Sequence, residues 1–200
     1  MSDKTTTPLK GILVGCGFMG GMHAQIYSQL EGVELVAAVD ANTESSADKL
    51  KSFGTPVPIF KTLEEALTNT ECDFVDICLP TKLHRQYALT AIEAGKALFC
   101  EKPLALSMEE ADDILAAAKT HGTFAQVGHC IRFWPEYQAL MDYHKSGKGG
   151  KLLSLHLMRR AGRPDYGVDN WLNDANQSGG AALDLHIHDT DFINFCFGMP

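Results

Sequence analysis

The feature that most constrains this chain is a glycine-rich turn placed between an apolar run and a helical pattern. Residues 10–14 read KGILV, which is typical of a buried strand, and residues 15–20 (GCGFMG) follow directly. A helical pattern then ends at Gly32, and the apolar run Val33–Val39 ends on Asp40. This order of strand, G-x-G-x-x-G turn, helix, second strand and closing acid predicts a dinucleotide-binding unit.

Each glycine of the motif has a mechanical reason. Gly15 permits the tight turn, Gly17 lets a pyrophosphate approach the backbone, and Gly20 lets the helix pack closely on the strand. The diphosphate would lie on unpaired N–H groups at the positive end of the helix dipole, where Phe18 and Met19 stand. A glycine-rich turn can also serve tight packing alone, but the full context favours dinucleotide binding.

The acid that closes the second strand indicates which dinucleotide is bound. Asp40 would accept hydrogen bonds from the adenosine ribose hydroxyls, and its charge would repel a 2′-phosphate. Residues 41–43 are Ala-Asn-Thr and offer no cation to such a phosphate. The sequence therefore predicts NAD rather than NADP as the cofactor.

Composition limits the partners and the compartment. The net charge of −8 comes without a basic cluster, which argues against nucleic acid and against anionic membranes as partners. No apolar run approaches the length of a membrane span, and the N-terminus lacks the apolar core of a signal peptide. The six cysteines are scattered without a C-x-x-C pair, so we expect reduced thiols, a cytoplasmic location and no disulfide or zinc framework.

The order of predicted elements indicates the fold class. From residue 10 to residue 128, apolar strand-like runs alternate with helical patterns. This rhythm predicts an α/β fold with a doubly wound parallel sheet, a Rossmann fold, covered by helices on both faces. Ligands of such sheets bind beyond the carboxyl ends of the strands. The residues predicted at those ends are Gly15, Asp40, Pro80, Thr81, Glu101, Lys102 and His129.

The pattern changes near His129, where we place the boundary between domains 1–129 and 130–200. The elements predicted after it are a helix over residues 135–146, an antiparallel strand over residues 151–159, an irregular polar segment over residues 160–180 and one helix over residues 181–197. The irregular segment is long enough to suggest a function. These elements predict the beginning of an α+β domain.

Several separated blocks of the chain resemble the Gfo/Idh/MocA family, the oxidoreductases of the glucose-fructose oxidoreductase and inositol dehydrogenase type. The blocks are GCGFMGGMH ending at His23, P-T-x-x-H from Pro80 to His84, E-K-P at residues 101–103, V-G-H…R-F…P over residues 127–135, Trp171, the pair Gly179-Gly180, and Asp184-x-x-x-His188. Each block is weak alone, but their order and spacing span nearly the whole chain.

The resemblance implies an NAD-dependent enzyme that transfers hydride between nicotinamide and a hydroxyl carbon of a sugar, polyol or related small molecule. It implies that Lys102 is catalytic and that Pro80, Thr81 and His84 lie near the cofactor, with Glu101 on a ribose hydroxyl. It also leaves two rivals open. One is an NAD-assisted lyase or glycosidase that oxidises its substrate transiently, and the other is a non-catalytic NAD-sensing regulator.

Oxidation of a carbinol also requires a base for the hydroxyl proton. Asp184 and His188 stand four residues apart on the predicted helix and would share a face. We expect His188 to accept the proton, Asp184 to hold the imidazole, and Lys102 to stabilise the charge developing on the reacting oxygen. Lys102 as the base itself stays open. The alternatives are a solvated lysine in a turn and a surface ion pair on the helix.

The substrate side of the site is predicted from the polar segment. A sugar site needs polar groups aimed at hydroxyls and an aromatic wall, which Arg163 and Trp171 can supply. Arg132, near the domain junction, would link the cofactor and substrate sides. His186 and His188 are two apart and face different directions on a helix, so no metal site is expected.

The chain length differs from that of the family. Family members are considerably longer and carry a large open sheet after the helix that contains the Asp184 motif. We therefore expect an incomplete second domain, either because the chain is a fragment or because another chain completes it. A homo-oligomer is expected where the full second domain is present.

Overall fold

One parallel sheet organises the first two thirds of the computed structural model, which describes residues 7–199. The strands are β1 (Leu9–Val14), β2 (Val33–Val39), β3 (Ile59–Phe60), β4 (Phe74–Ile77), β5 (Ala97–Cys100) and β6 (Ala125–Val127). They pair in the order β3-β2-β1-β4-β5-β6, and every pair is parallel. The order changes direction between β1 and β4, which makes the crevice beyond their carboxyl ends the topological switch point. The predicted α/β doubly wound class is confirmed.

Helices connect the strands, and local sequence fixes where most of them begin. The connecting helices are α1 (Phe18–Tyr27), α2 (Thr43–Ser52), α3 (Leu63–Asn69), α4 (His84–Glu93) and α5 (Met108–His121). The side chains of Asn42, Thr62 and Ser107 each accept a hydrogen bond from the backbone N–H three residues later. Such caps satisfy donors that the first helical turn leaves unpaired, so α2, α3 and α5 begin at those residues.

Side-chain alternation along β1 divides the core into two layers. Ile12 and Val14 are fully buried on one face of the sheet, in a cluster with residues of α3, α4 and α5. Leu13 is fully buried on the other face, with Ala24 of α1 and Leu50 of α2. A parallel strand covered on both faces reads as a continuous apolar run, which is why residues 10–14 identify it in the sequence.

After β6 the regular elements of the described chain are helices and 3₁₀ turns. A 3₁₀ turn (Cys130–Phe133) leads to α6 (Pro135–Lys145), and a second 3₁₀ turn (Val168–Asn173) precedes α7 (Ala175–Ser178), α8 (Gly180–Asp184) and α9 (Ile187–Phe197). Phe192 of α9 is fully buried, and its ring lies edge-on to Tyr137 of α6 with 4.8 Å between centroids. Between residues 7 and 199, none of the helices combines the length and the apolar character needed to cross a membrane.

The strand predicted over residues 151–159 is wrong. These residues have no regular secondary structure, and Leu153 is 88% exposed. Apolar alternation stabilises a strand only when a neighbouring strand offers hydrogen-bond partners. In the described part of the chain the strands all belong to the parallel sheet, so this segment has nothing to pair with.

The single helix predicted over residues 181–197 is also wrong, because it breaks into α8 and α9. The backbone N–H groups of Leu185 and His186 both donate to the carbonyl oxygen of Ala181, at 3.1 and 3.0 Å. The second of these bonds closes a wider turn than an α-helix allows and ends α8. Asp184 and His188 therefore lie on different helices.

The glycine turn yields a stability prediction. A Cβ on Gly20 would lie 1.8 Å from the carbonyl oxygen of Gly15, whereas a Cβ on Gly17 would meet no atom within 4 Å. We expect Gly20→Ala to lower the free energy of unfolding by about 1–3 kcal/mol or more, because overpacking forces the backbone apart. Urea denaturation of Gly20→Ala and Gly17→Ala measures this. Equal losses in both variants would contradict a requirement for close packing at Gly20.

Candidate active site

The candidate site lies at the carboxyl ends of the strands, around the switch point between β1 and β4. The glycine turn follows β1, Asp40 follows β2, and Pro80 and Thr81 follow β4. Lys102 and its neighbour Glu101 follow β5. Because parallel strands end at one edge of the sheet, these residues converge although they are far apart in sequence.

The glycine turn presents backbone donors to open space. The first helical hydrogen bond of α1 runs from Gly21 N–H to Gly17 O, so the N–H groups of Phe18, Met19 and Gly20 have no partner within the helix. No atom of the described residues lies within 4 Å of the position that a Cβ on Gly17 would take. This arrangement fits a pyrophosphate on the helix N-terminus.

Asp40 is held in place beside the turn. Its Oδ2 accepts a hydrogen bond from Cys16 N–H at 2.8 Å, and its Oδ1 accepts one from Asn42 N–H at 2.9 Å. Nearby, Lys49 Nζ donates to the carbonyl oxygens of Cys16 and Gly17. The carboxylate is thereby fixed between the turn and the start of α2, where a ribose would approach in a unit of this fold.

The loop after β4 contains Thr81, and helix α4, which follows it, begins with His84. Thr81 is 1% exposed, and its hydroxyl has no hydrogen-bond partner in residues 7–199. An orphaned buried hydroxyl fits a polar ligand, as the predicted cofactor contact of Pro80 and Thr81 requires. His84 is buried, and both ring nitrogens lie 2.8 Å from carbonyl oxygens, those of Leu79 and Pro103. Its ring therefore joins the loop after β4 to the loop after β5. The predicted cofactor role of His84 stays a prediction, and it would be exerted through these loops.

Lys102 forms the contact that joins the sheet edge to the C-terminal helices. Its Nζ donates to Asp184 Oδ1 at 2.8 Å and to the Asp184 backbone oxygen at 2.9 Å. Both side chains are mostly buried. The expectation that Asp184 holds His188 is wrong, because the break between α8 and α9 turns the carboxylate to Lys102 instead.

His188 lies near Lys102 without a structural partner for its Nδ1. The residue is 9% exposed, and Nδ1 has no hydrogen bond within the described residues. Burial, together with the positive charges of Lys102 and Arg159, lowers the pKa of His188 to about 4. The imidazole is therefore uncharged at pH 7, and one of its two ring nitrogens is a hydrogen-bond acceptor.

Two arginine–aspartate pairs fix α9 beside the site. Arg132 binds Asp191 through Nε at 2.6 Å and through a second guanidinium nitrogen. Arg159 binds Asp189 in the same bidentate way and also donates to the Leu185 carbonyl oxygen. Arg132 thus anchors the junction to α9, and its predicted substrate contact stays a prediction.

The other predicted substrate residues lie in the segment before α7. Arg163 is exposed and donates to Asn173 Oδ1 at 2.7 Å, within its own segment. Trp171 is half-buried against Gly167. Their contact with a substrate stays a prediction. Tyr166 of the same segment stacks on Phe18 of the glycine turn, with 4.6 Å between ring centroids, and so brings the segment over the cofactor side.

A buried charge cluster lies directly behind Lys102. His23 Nδ1 lies 2.8 Å from Asp76 Oδ2, and His23 Nε2 lies 3.1 Å from Glu101 Oε1. Burial alone would lower the pKa of His23, but the two carboxylates raise it to about 10. Burial alone would raise the pKa of Glu101, but His23 and Lys102 lower it. In this structure the Glu101 carboxylate is bonded to His23. Its predicted contact with a ribose hydroxyl stays a prediction.

Several of these residues escaped the sequence reasoning. Asp76 carried a usable signal, because an acid inside the apolar run DFVDICL must find a buried partner. Arg159 and Asp189 carried none, since charged residues in a polar segment and on a helix face are common at surfaces. Tyr166 likewise depends on a tertiary contact that local sequence does not encode.

Comparisons with known proteins agree with this geometry. Residues 9–129 match the family model described as the oxidoreductase family with an NAD-binding Rossmann fold, and residues 137–200 match the GFO/IDH/MocA C-terminal domain model. D-glucoside 3-dehydrogenase of Escherichia coli is 28% identical over all of this chain and 57% of its own length. The 2,7-anhydro-N-acetylneuraminate hydratase of Mediterraneibacter gnavus is 28% identical over 94% of this chain and 49% of its own.

A solved structure shares the fold of this chain. GenD2 from gentamicin A biosynthesis, in complex with NAD, superposes with a TM-score of 0.82 and 26% identity over all of this chain and 56% of its own. The chain thus spans about half the length of the relatives it matches. The match of the first family model over more than half of the chain, on a sheet with the required switch point, shows that the chain belongs to the Gfo/Idh/MocA oxidoreductase family and contains its NAD-binding Rossmann domain.

Proposed function

We propose that this chain is part of an NAD-dependent dehydrogenase that acts on a hydroxyl carbon of a sugar, polyol or related small molecule. It would contribute the cofactor-binding and catalytic residues. The observation that carries the proposal is the Lys102–Asp184 contact. It lies near His188, a neutral histidine whose Nδ1 has no hydrogen-bond partner among the described residues. These groups lie at the same sheet edge as the glycine turn and Asp40. The dehydrogenase relative named above supports a sugar substrate.

The residues of the glycine turn would hold the cofactor. The N–H groups of Phe18 and Met19 would bind its diphosphate, and Asp40 would bind its adenosine ribose. When bound, NAD supplies the acceptor for the hydride that leaves the carbinol carbon. We propose NAD over NADP, because the fixed carboxylate of Asp40 would repel a 2′-phosphate.

The proton of the hydroxyl is the part of the reaction that the protein must handle. We propose that His188 accepts it, because its imidazole is uncharged at pH 7 and its Nδ1 has no hydrogen-bond partner among the described residues. Lys102 would donate a hydrogen bond to the same oxygen and stabilise its negative charge. Asp184 would hold the Lys102 ammonium in position, a role that replaces the imidazole contact expected from the sequence.

One observation favours a second candidate. A relative is named as a hydratase, so a chain similar to this one can belong to an enzyme that is not named as a dehydrogenase. In such a reaction, transient oxidation of one carbon makes its neighbour acidic. An assay that follows both substrate loss and the near-ultraviolet absorbance of NADH separates the two, because only a dehydrogenase accumulates NADH.

Other expectations rest on sequence and stay predictions. We propose that the chain divides near residue 129, which the ranges of the two family models support. A cytoplasmic location and a homo-oligomer with a complete second domain are further predictions. An NAD-sensing regulator would bind the cofactor tightly and turn over none of the sugars and polyols tested.

Cofactor binding tests the first half of the proposal. We expect titration calorimetry to show binding of NAD that exceeds binding of NADP. Asp40→Ala should weaken NAD binding about 10- to 100-fold, because charge-assisted hydrogen bonds to the ribose are lost. Asp48→Ala, which removes an exposed acid of α2, is the control. Equal affinity for the two nucleotides in the unaltered protein would contradict the assignment to NAD.

Turnover tests the second half. With a panel of sugars and polyols, we expect Lys102→Met to lower kcat by about 100-fold or more, because charge stabilisation at the reacting oxygen is lost. NAD affinity should change far less. Lys119→Met, an exposed lysine of α5, controls for loss of charge. Full turnover in Lys102→Met would remove Lys102 from the mechanism.

The protonation of His188 predicts a pH dependence of stability. The folded imidazole has its pKa lowered to about 4, against about 6.5 for an unfolded histidine. Between these values the unfolded state binds more protons, so the free energy of unfolding should fall as the pH falls from 6.5 to 4. His188→Gln should flatten this slope by up to about 1.4 kcal/mol per pH unit.

Urea denaturation at a series of pH values measures this slope. His121→Gln, an exposed histidine at the end of α5, should leave it unchanged. An unaltered slope in His188→Gln would show that folding does not lower the pKa of this imidazole.

A further inference from the structure

We propose that His23 is a positioning residue for Lys102: as a buried imidazolium between two carboxylates, it holds Glu101, which in turn holds the backbone amide of Lys102. The role of Lys102 in the reaction rests on the proposed function. The placement of Lys102 by His23 is a structural claim and can be tested without substrate or cofactor.

The buried carboxylates of Asp76 and Glu101 require compensation of their negative charge. Asp76 lies in the middle of the sheet on β4 and is fully buried, and the Glu101 side chain is 12% exposed. Two carboxylates in such a place are costly unless a cation and hydrogen bonds compensate them. Among the described residues, His23 of α1 is the group that contacts both.

The contacts of His23 favour a protonated imidazole. A neutral ring has one N–H and could donate to one carboxylate, whereas an imidazolium donates to both. The groups facing the ring are Asp76, Glu101 and the Cys78 thiol, whose sulfur lies 3.3 Å from Nδ1. Tyr27 OH adds a donor to Asp76 Oδ2 at 2.9 Å. The two acids favour the charged ring, in agreement with its pKa of about 10.

The Glu101 carboxylate connects the cluster to Lys102. Glu101 Oε1 faces His23, while its Oε2 accepts a hydrogen bond from Lys102 N–H at 3.1 Å. The Lys102 side chain then reaches Asp184, 82 residues further along the chain. A Glu101 carboxylate that lost its cation would turn toward water, and the Lys102 backbone would lose the bond that fixes it.

A metal ion is the other reading of this cluster. One ligand atom each from His23, Asp76 and Cys78 lies within 4.8 Å of the others. However, both ring nitrogens already face carboxylates, and a metal would need one of them free and unprotonated. The geometry therefore fits a charge network that ends at Lys102.

The test measures how accessible the Lys102 amine is. Trace acetylation at one pH, read by mass spectrometry, gives the labelling rate of Lys102 relative to the exposed Lys119 in the same molecule. In the unaltered protein we expect Lys102 to be protected by Asp184. In His23→Gln we expect the ratio to rise about 5- to 10-fold, which corresponds to losing an ion pair of about 1 kcal/mol.

Two controls separate positioning from general loosening. Tyr27→Phe removes a hydrogen bond from the same cluster but no charge, and His121→Gln makes the same replacement on the surface. Both should keep the labelling ratio of the unaltered protein. All proteins are compared well below their unfolding temperatures. A folded His23→Gln variant with an unchanged ratio would overturn the proposal.

A second variant covers the case in which His23→Gln does not fold. The double variant His23→Gln/Asp76→Asn removes one positive and one negative charge together. The net charge of the sheet interior is therefore unchanged, while Glu101 still loses its cation. It should fold and show the raised Lys102 labelling, and an unchanged ratio would again overturn the proposal. If labelling responds while no substrate is turned over, positioning stands and the proposed dehydrogenase activity fails.

Discussion

The contact between Gly20 and the carbonyl oxygen of Gly15 is the constraint on which the N-terminal architecture depends. It lets α1 begin immediately after β1 and press against the strand, because neither residue places a side chain between them. This close approach leaves the amides of Phe18 and Met19 pointing out of the helix end. It also places His23, one turn further along α1, against Asp76 and Glu101 at the centre of the sheet. The cofactor turn and the buried charge cluster therefore follow from one packing requirement.

The ion pair between Lys102 and Asp184 couples the sheet to the helices that follow it. Lys102 is fixed at the end of β5 by its backbone and by Glu101, whereas Asp184 ends the short helix α8. Two further ion pairs, those of Arg132 and Arg159, hold α9 at the same edge. The proposed catalytic groups thus come from both sides of the junction, and a change in either side would separate them.

Periodic elements could be predicted from sequence, and contacts between elements could not. The runs KGILV and DFVDICL are apolar because both faces of their strands are covered, so residues 10–128 indicated an α/β sheet correctly. Residues 151–159 alternate equally well, but within residues 7–199 they have no strand to pair with, so the same signal failed there. Asp184 and His188 had helical spacing, yet the shared acceptor of Ala181 ended the helix between them. A spacing rule assumes that the helix continues, and only the tertiary structure shows whether it does.

The positive charges around the site are compensated within the protein. Lys102, Arg132 and Arg159 each have an aspartate partner, at Asp184, Asp191 and Asp189. His188 is neutral at pH 7, and His23 is shared between two carboxylates behind the site. A ligand with its own carboxylate or phosphate would have to displace one of these aspartates, because the cations beside His188 are already compensated. An uncharged group would need no such exchange. His188 Nδ1, which has no hydrogen-bond partner among the described residues, is itself covered by surrounding protein atoms. The pairing of these cations therefore raises the cost of placing an anion beside His188.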